Sequence, residues 1–285
     1  MTQVKIIGGG LAGCEAAWQL AERGIKVDLY EMRPEKSTPA HQTSELAELV
    51  CSNSFRSDDK LSNAVGILHE ELRICGSLIM KAADKHKVPA GSALAVDRNL
   101  FSAEVTKHIS DHKNIKLIQK EVKNIPDDWE NIIIATGPLT SEPLSKFILN
   151  KSSNDSLYFF DAIAPIIYSD SIDMSAAWFQ SRYNKVGPSG SLNDYINCPL
   201  NESQYLQFVD ELIDADRASF NDWEIDTPYF DSCLPIEVIA RSGPQTLRHG
   251  PMKPFGLNNP HKKGDEPYAV VQLRQDDIAG QLYNM

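Results

Sequence analysis

The hydrophobic pattern is most informative at the start of the chain. Val4, Ile6 and Ile7 form a short apolar run without polar alternation, as a strand covered on both faces of a parallel sheet requires. Leu11 to Arg23 reads as a helix that stops at Gly24, and Val27 to Tyr30 as a second strand closed by Glu31. Ser44 is placed to cap a short helix through Leu46, Leu49 and Val50. Ala64 to Ala83 predicts one long amphipathic helix with Ala64, Leu68, Leu72, Cys75, Ile79 and Ala82 on its buried stripe, which makes Cys75 a packing residue. Ala95 to Ile109 holds a further helix, opened by Asp97 and buried through Phe101, Val105 and Ile109. Ile115 to Val122 is strand-like, and Asn131 to Gly137 reads as a buried strand ending at a glycine.

The second half is less regular. Ser141 to Asn154 is a polar connection with a helical piece, and Leu157 to Tyr168 is apolar around one acid, Asp161, which must find a partner or face a site. Val186 to Asn193 is the most linker-like stretch, so the expected division is a first domain over 1–184 and a second, inserted α/β domain over 185–285. Beyond it, Asn201 and Gln204 form a capping box ahead of a helix buried through Tyr205, Phe208, Val209, Leu212 and Ile213. Tyr268 to Arg274 alternates as a strand with one wet face.

The chemistry begins in the first turn. Gly8, Gly10 and Gly13 spell G-x-G-x-x-G between strand and helix: one glycine for the tight turn, one for close approach to a pyrophosphate, one for helix–strand packing. Gly9, Leu11 and Ala12 complete a helix N-terminus that favours phosphate. Glu31 follows Gly10 by 21 residues, where an acid that holds a ribose hydroxyl belongs. The expected fold is therefore α/β with a Rossmann-like nucleotide domain, and the N-terminal position of the motif favours an FAD-type flavoprotein over an NAD dehydrogenase.

Composition narrows the class. With 285 residues and 42% hydrophobic content, the chain can build a real core, and its apolar runs are too short to span a bilayer. Five widely spaced cysteines without a C-x-x-C pair argue against a disulfide framework or zinc site and for a reducing cytoplasm, and Met1 leads directly into the first strand without a signal peptide. A net charge of −11 argues against a general nucleic-acid binder but leaves room for a local basic patch. The histidines show no metal-ligand spacing.

Cys51 and Cys233 sit in polar turns rather than on apolar stripes, where a neighbouring cation or helix N-terminus can activate a thiolate; the competing reading is that of small buried hydrophobes. Cys14 reads as a packing residue, and Cys198 has no clear role. Asp97-Arg98 opens a helix, as a capping acid with a solvated arginine or as site residues. Arg182, Tyr183 and Lys185 form one basic and aromatic cluster, and Arg248, His249 and Lys253 another; phosphate, a folate tail or RNA would suit them, as would plain solvent.

Several longer motifs are more specific. GGGLAGCEAAW, ELVCSNSFRSDD, VDRNLFS, IIIATGPLTS, LYFFDAIAPI, SRYNK, DYINCPL, TPYFDSCLPIEV, LRHGPMKP and PYAVVQLRQD, in order from Val4 to the last residue, resemble the bacterial folate- and FAD-dependent tRNA (uracil-5-)-methyltransferases, the TrmFO family. The resemblance implies a two-dinucleotide-binding flavoprotein in which the Ala-Thr-Gly end of the 131–137 strand skirts the cofactor. It implies transfer of a one-carbon unit from 5,10-methylenetetrahydrofolate to carbon 5 of the T-loop uridine of tRNA, with FAD reduced by NADPH or NADH. Cys51 and Cys233 match the family's two functional cysteines, and Gly8 to Gly13 with Glu31 match its FAD contacts. Two departures stand out. VGPSGSLN is longer than the family's usual turn, and the family's chain continues beyond the YNM at 283–285 to a Gly-rich return segment near the flavin. The expectation is thus a C-terminally truncated member. The competing readings are an inactive remnant, and a generic FAD/NAD(P)H oxidoreductase acting on a small molecule.

Overall fold

A computed structural model describes residues 3–38, 40–152, 165–186, 190–216, 234–262, 264 and 266–285. The chain begins β1 (Gln3–Ile7), α1 (Leu11–Glu22), β2 (Lys26–Glu31), β3 (Ser54–Ser57), α2 (Ala64–Ile74), α3 (Leu78–Lys85) and β4 (Lys87–Val88). It continues β5 (Ala93–Val96), α4 (Arg98–Asp111), β6 (Ile115–Gln119), β7 (Ile132–Ile134), α5 (Glu142–Lys151), β8 (Ile166–Tyr168) and β9 (Trp178–Phe179). It ends β10 (Tyr195–Leu200), α6 (Glu202–Asp214), α7 (Ile236–Arg241), α8 (Thr246–His249), β11 (Ala269–Gln275) and β12 (Leu282–Asn284). None of the described helices is long and apolar enough to cross a membrane.

Two compact units result. The first comprises Met1–Asn53, Lys60–Lys87 and Val96–Ile163; the second Ser54–Asp59, Val88–Ala95 and Ala164–Met285. The main crossing therefore precedes the glycine-rich stretch that suggested a boundary at 184/185. The reason is that Trp178–Phe179 already pairs with β10 of the second unit.

The first unit carries a parallel sheet in the order β6-β2-β1-β7. Val4, Ile6, Ile7, Val27 and Leu29 are buried, as the unbroken apolar runs require. Phe101, Val105 and Ile109 of α4 are buried as expected, and Asp97 caps that helix by accepting from the Leu100 N–H at 2.9 Å. Here β7 departs from its reading as a buried strand. Among the described residues it is an edge strand of this sheet, and Ile133 and Ile134 are 37% and 42% exposed.

Two helical expectations are also corrected. Residues 44–50 form no helix, because their polar groups are bonded to distant elements. The Ala47 N–H donates to the Gly9 carbonyl, the Leu46 N–H to Thr106 Oγ1, and Ala47 sits at φ +51°. The long helix over 64–83 is two helices. Gly76 at φ +73° ends α2, with Ser77 N–H returning to the Leu72 carbonyl, and the Ser77 hydroxyl caps α3 by accepting from Met80 N–H. The break rotates the stripe: Ile79 and Ala82 are buried, while Leu68, Leu72 and Cys75 are exposed.

The second unit holds an antiparallel sheet in the order β8-β12-β11-β10-β9. The capping box of Asn201 and Gln204 forms as expected, and Tyr205 and Val209 of α6 bury against Ala240, Leu247, Met252 and Ala269. Asp161 lies outside the described residues.

Candidate nucleotide site

The site is built at the carboxyl ends of the parallel strands of the first unit, beside β1, where β2 lies on one side and β7 on the other. That change of direction leaves a crevice in open α/β sheets. A cavity of about 300 Å³ opens there, lined by Gly8 to Ala12, by Tyr30 to Arg33 and by Thr136 to Ser141, among others.

The three glycines have three different reasons to be glycine. Gly8 has φ +107°, and a Cβ there would lie 2.6 Å from the Ala135 carbonyl oxygen. A Cβ on Gly13 would lie 1.8 Å from the Gly8 oxygen, so helix and turn touch through backbone. At Gly10 a Cβ would meet nothing within 4 Å; the space before it is open. The helix α1 has no side-chain cap and no acid in its first turn, and its first internal bond runs from Cys14 N–H to the Gly10 carbonyl. The N–H groups of Leu11, Ala12 and Gly13 therefore precede the helical ladder, and the positive end of the dipole faces open space. A pyrophosphate fits this cradle by chemistry and by room.

Glu31, 6% exposed, takes the position expected of it at the end of β2. Its Oε2 accepts from the Gly9 N–H at 2.9 Å, and its Oε1 from the backbone N–H and Nε of Arg33 at 3.0 and 2.9 Å. A carboxylate accepts about four hydrogen bonds, so these three leave capacity for a ligand hydroxyl. Burial raises the Glu31 pKa, but the Arg33 hydrogen bonds and charge, with the Gly9 N–H, outweigh it and hold the carboxyl below its ordinary value. A Cβ on Gly9 would press on Glu31 Oε2 at 2.8 Å, so this residue too is tied to the site.

Sequence reasoning missed Arg33. Its side chain is 2% exposed and bridges two carboxylates, with Nη1 donating to Glu48 Oε2 at 2.8 Å. Glu48 also accepts from the Gln42 and Thr43 N–H groups, which ties the 42–48 loop to the end of β2. The available signal was a basic residue two positions after the ribose-type acid. The Ala-Thr-Gly end of β7 does line the cavity, with Thr136 and Thr140 hydroxyls 2.6 Å apart.

Of the cysteines, Cys51 is exposed and follows Val50, which lines the cavity. Arg98 is no solvated arginine: Nη1 donates to the Leu49 carbonyl at 2.7 Å and Nη2 to that of Cys51 at 3.2 Å, fixing the loop that carries the thiol. Cys233 lies outside the described residues. Cys14 is fully buried, donates to the Gly9 carbonyl, and burial pushes its thiol far above the ordinary range, so it is a packing residue. Burial raises the Cys198 thiol as well. Among the described residues no group of His, Cys, Asp and Glu is arranged to hold a metal ion.

Fold and cradle together define a dinucleotide-binding α/β protein of the open, doubly wound type. Residues 3–285 match the sequence profile of the family described as Glucose inhibited division protein A, and the chain belongs to that family. Within it the chain stands with the proteins named methylenetetrahydrofolate--tRNA-(uracil-5-)-methyltransferase TrmFO. It is 62% identical to the one from Nitrobacter hamburgensis over 283 residues, covering 99% of this chain and 59% of that protein. It is 61% identical to the one from Bartonella henselae, covering 100% of this chain and 60% of that protein. The chain thus spans about three fifths of the length of these relatives. A crystal structure of GidA from Aquifex aeolicus superposes with a TM-score of 0.62 at 16% identity, covering 99% of this chain and 49% of that one, which supports the fold.

Proposed function

We propose that the protein is a folate-dependent tRNA (uracil-5-)-methyltransferase that uses FAD. On this reading the one-carbon donor is 5,10-methylenetetrahydrofolate, the acceptor is carbon 5 of a T-loop uridine, the reductant is NADPH or NADH, and the location is the cytoplasm, where tRNA is found. The observation that carries the reading is the 62% identity to a protein of that name along 99% of this chain, together with an intact phosphate cradle. Held by this cradle, flavin would supply the reducing equivalents that take the transferred methylene to a methyl group.

The residues of this chain have separate tasks. The Leu11, Ala12 and Gly13 N–H groups bind the pyrophosphate, and Gly10 lets it come close. Glu31, kept ionised and oriented by Arg33, accepts a ribose hydroxyl. Carbon 5 of a uracil is a weak nucleophile until a group adds at carbon 6, and its proton must leave after the new carbon–carbon bond forms. A thiolate and a base suit these two jobs, and Cys51 and Cys233 are the candidates for the pair. Arg98 positions the Cys51 loop through two carbonyls.

The test is label transfer from methylenetetrahydrofolate into T-loop 5-methyluridine, with flavin and nicotinamide supplied. Label that enters the T-loop uridine only with reductant present supports the reading; flavin-loaded protein that transfers none overturns it. In the same assay Cys51→Ala is expected to lose roughly 10²-fold or more of the rate. Its thermal midpoint and flavin content should match wild type, since substitutions of exposed side chains move stability by only about 0.5 kcal/mol. Methylation retained by the variant removes Cys51 from the chemistry.

A further inference from the structure

The two basic and aromatic clusters that stand about seventy residues apart in the sequence are joined in the second unit. Arg182 Nη1 donates to the carbonyls of Lys253 and Phe255 at 2.9 and 2.5 Å, and the Tyr183 N–H donates to the Gly256 carbonyl at 2.7 Å. The Tyr183 ring lies against Gly256, whose Cβ, if it had one, would be 2.6 Å from the ring. The result is a stapled surface on which Tyr183 is 62% and Phe255 49% exposed, with Lys185 and Lys253 also exposed. Tyr183 and Asn184 both hold left-handed backbone, at φ +57° and +51°, a cost the staple must offset. In sequence, Arg241 to Gly264 holds five Lys and Arg and no Asp or Glu, and Ser181 to Asn193 two and none, with Asp265-Glu266 following the first stretch and Asp194 the second, in a chain with 39 acidic residues. Arg248 plays another part: its guanidinium stacks 4.3 Å from the Tyr268 ring and its Nε donates to the Tyr268 carbonyl.

We propose that this surface binds RNA, an unpaired base stacking on Tyr183 or Phe255 while Lys185 and Lys253 meet the flanking phosphates. Exposed aromatics beside cations are the combination that single-stranded RNA recognition uses: bases stack on the rings, and the lysines answer the backbone charge. An acidic protein needs such a local patch, because its overall field repels nucleic acid. The identity of the RNA as tRNA rests on the function proposed above. Arg182 is a positioning residue here; it holds the Lys253 and Phe255 carbonyls.

The test is the binding of an unmodified tRNA transcript to the full chain, read by fluorescence anisotropy across a salt series. The double substitution Tyr183→Ala/Phe255→Ala is expected to weaken binding roughly 10-fold or more with little change in salt slope. The double substitution Lys185→Glu/Lys253→Glu is expected to weaken it and flatten the salt slope by about one to two. Tyr183→Phe, which keeps the ring, should bind within about twofold of wild type. Both double variants binding tRNA as wild type does, with folate-dependent methylation by wild type intact, overturns the surface and leaves the proposed function standing. Loss of affinity for a folate polyglutamate, with tRNA affinity unchanged, also overturns it. Wild-type protein that binds no tRNA overturns the proposed function as well.

Discussion

Gly13→Ala is expected to destabilise the first unit by about 3 kcal/mol or more and to abolish flavin retention. Overpacking a core ordinarily costs about 1–3 kcal/mol because side chains shift to make room. Here the added carbon would stand 1.8 Å from the Gly8 oxygen, a backbone atom, and Gly8 is itself pressed against the Ala135 carbonyl. Nothing flexible is available to yield. Gly10→Ala is the informative contrast. Gly10 has φ −75° and open space around its Cβ position, so alanine there should cost below about 1 kcal/mol, chiefly as a poorer helix N-cap. Yet the methyl group fills the space through which a pyrophosphate reaches the backbone, so flavin retention should fall with the fold intact. Urea denaturation and the visible absorbance after gel filtration separate the two outcomes. Wild-type stability in the Gly13 variant would show that helix and turn are not in contact there.

Arg33→Met is expected to be comparably damaging, at about 3–5 kcal/mol near neutral pH. Removing one partner of a buried ion pair leaves uncompensated charge, and here two carboxylates, Glu31 and Glu48, lose the same cation. The pH dependence has a definite sign. In the wild type the Glu31 carboxyl lies below its ordinary value, so its contribution is present at neutral pH and is lost as pH falls below about 4.5 toward the folded value. In the variant the carboxyl rises above the unfolded value, so stability increases as pH falls through the carboxylate range. The gap between the two proteins should therefore narrow in acid. Adding Glu31→Gln to the Arg33→Met variant should recover part of the loss, since the amide oxygen still accepts from the Gly9 N–H. Denaturation curves across the range from neutral to mildly acidic pH test this, and a constant gap would mean that Glu31 does not depend on Arg33.

What the sequence could show was local. The glycine spacing was legible because the Gly13 contact with the Gly8 oxygen lies within one strand, one turn and one helix; the contacts of Gly8 with Ala135 and of Gly9 with Glu31 and Ala47 come from further along the chain. The Asp97 cap, the Asn201–Gln204 capping box and the stop at Gly24 were legible for the same reason: donor and acceptor are at most a few residues apart. The break at Gly76-Ser77 belongs with them. A glycine followed by a capping residue was present in the sequence and was outweighed by an apolar period that ran through it. Family membership too was carried by ordered motifs, and the profile match over residues 3–285 agrees.

The rest depended on partners far away in the chain, whose geometry no periodicity encodes. Residues 44–50 had a cap and a helical pattern, but their N–H groups found Gly9 and Thr106 at fixed positions and gave up the helix. Arg33 became the hub of a buried cluster with Glu31 and Glu48 because Glu48 folds back over it. Arg182 met the 253–255 loop, so that two clusters read as separate basic turns became one surface. The sequence by itself determined which backbone positions can face a phosphate, since steric freedom at glycine and the direction of a helix dipole are local properties. Only the tertiary structure decided which charges are buried together, because that choice follows from the packing that removes water between them.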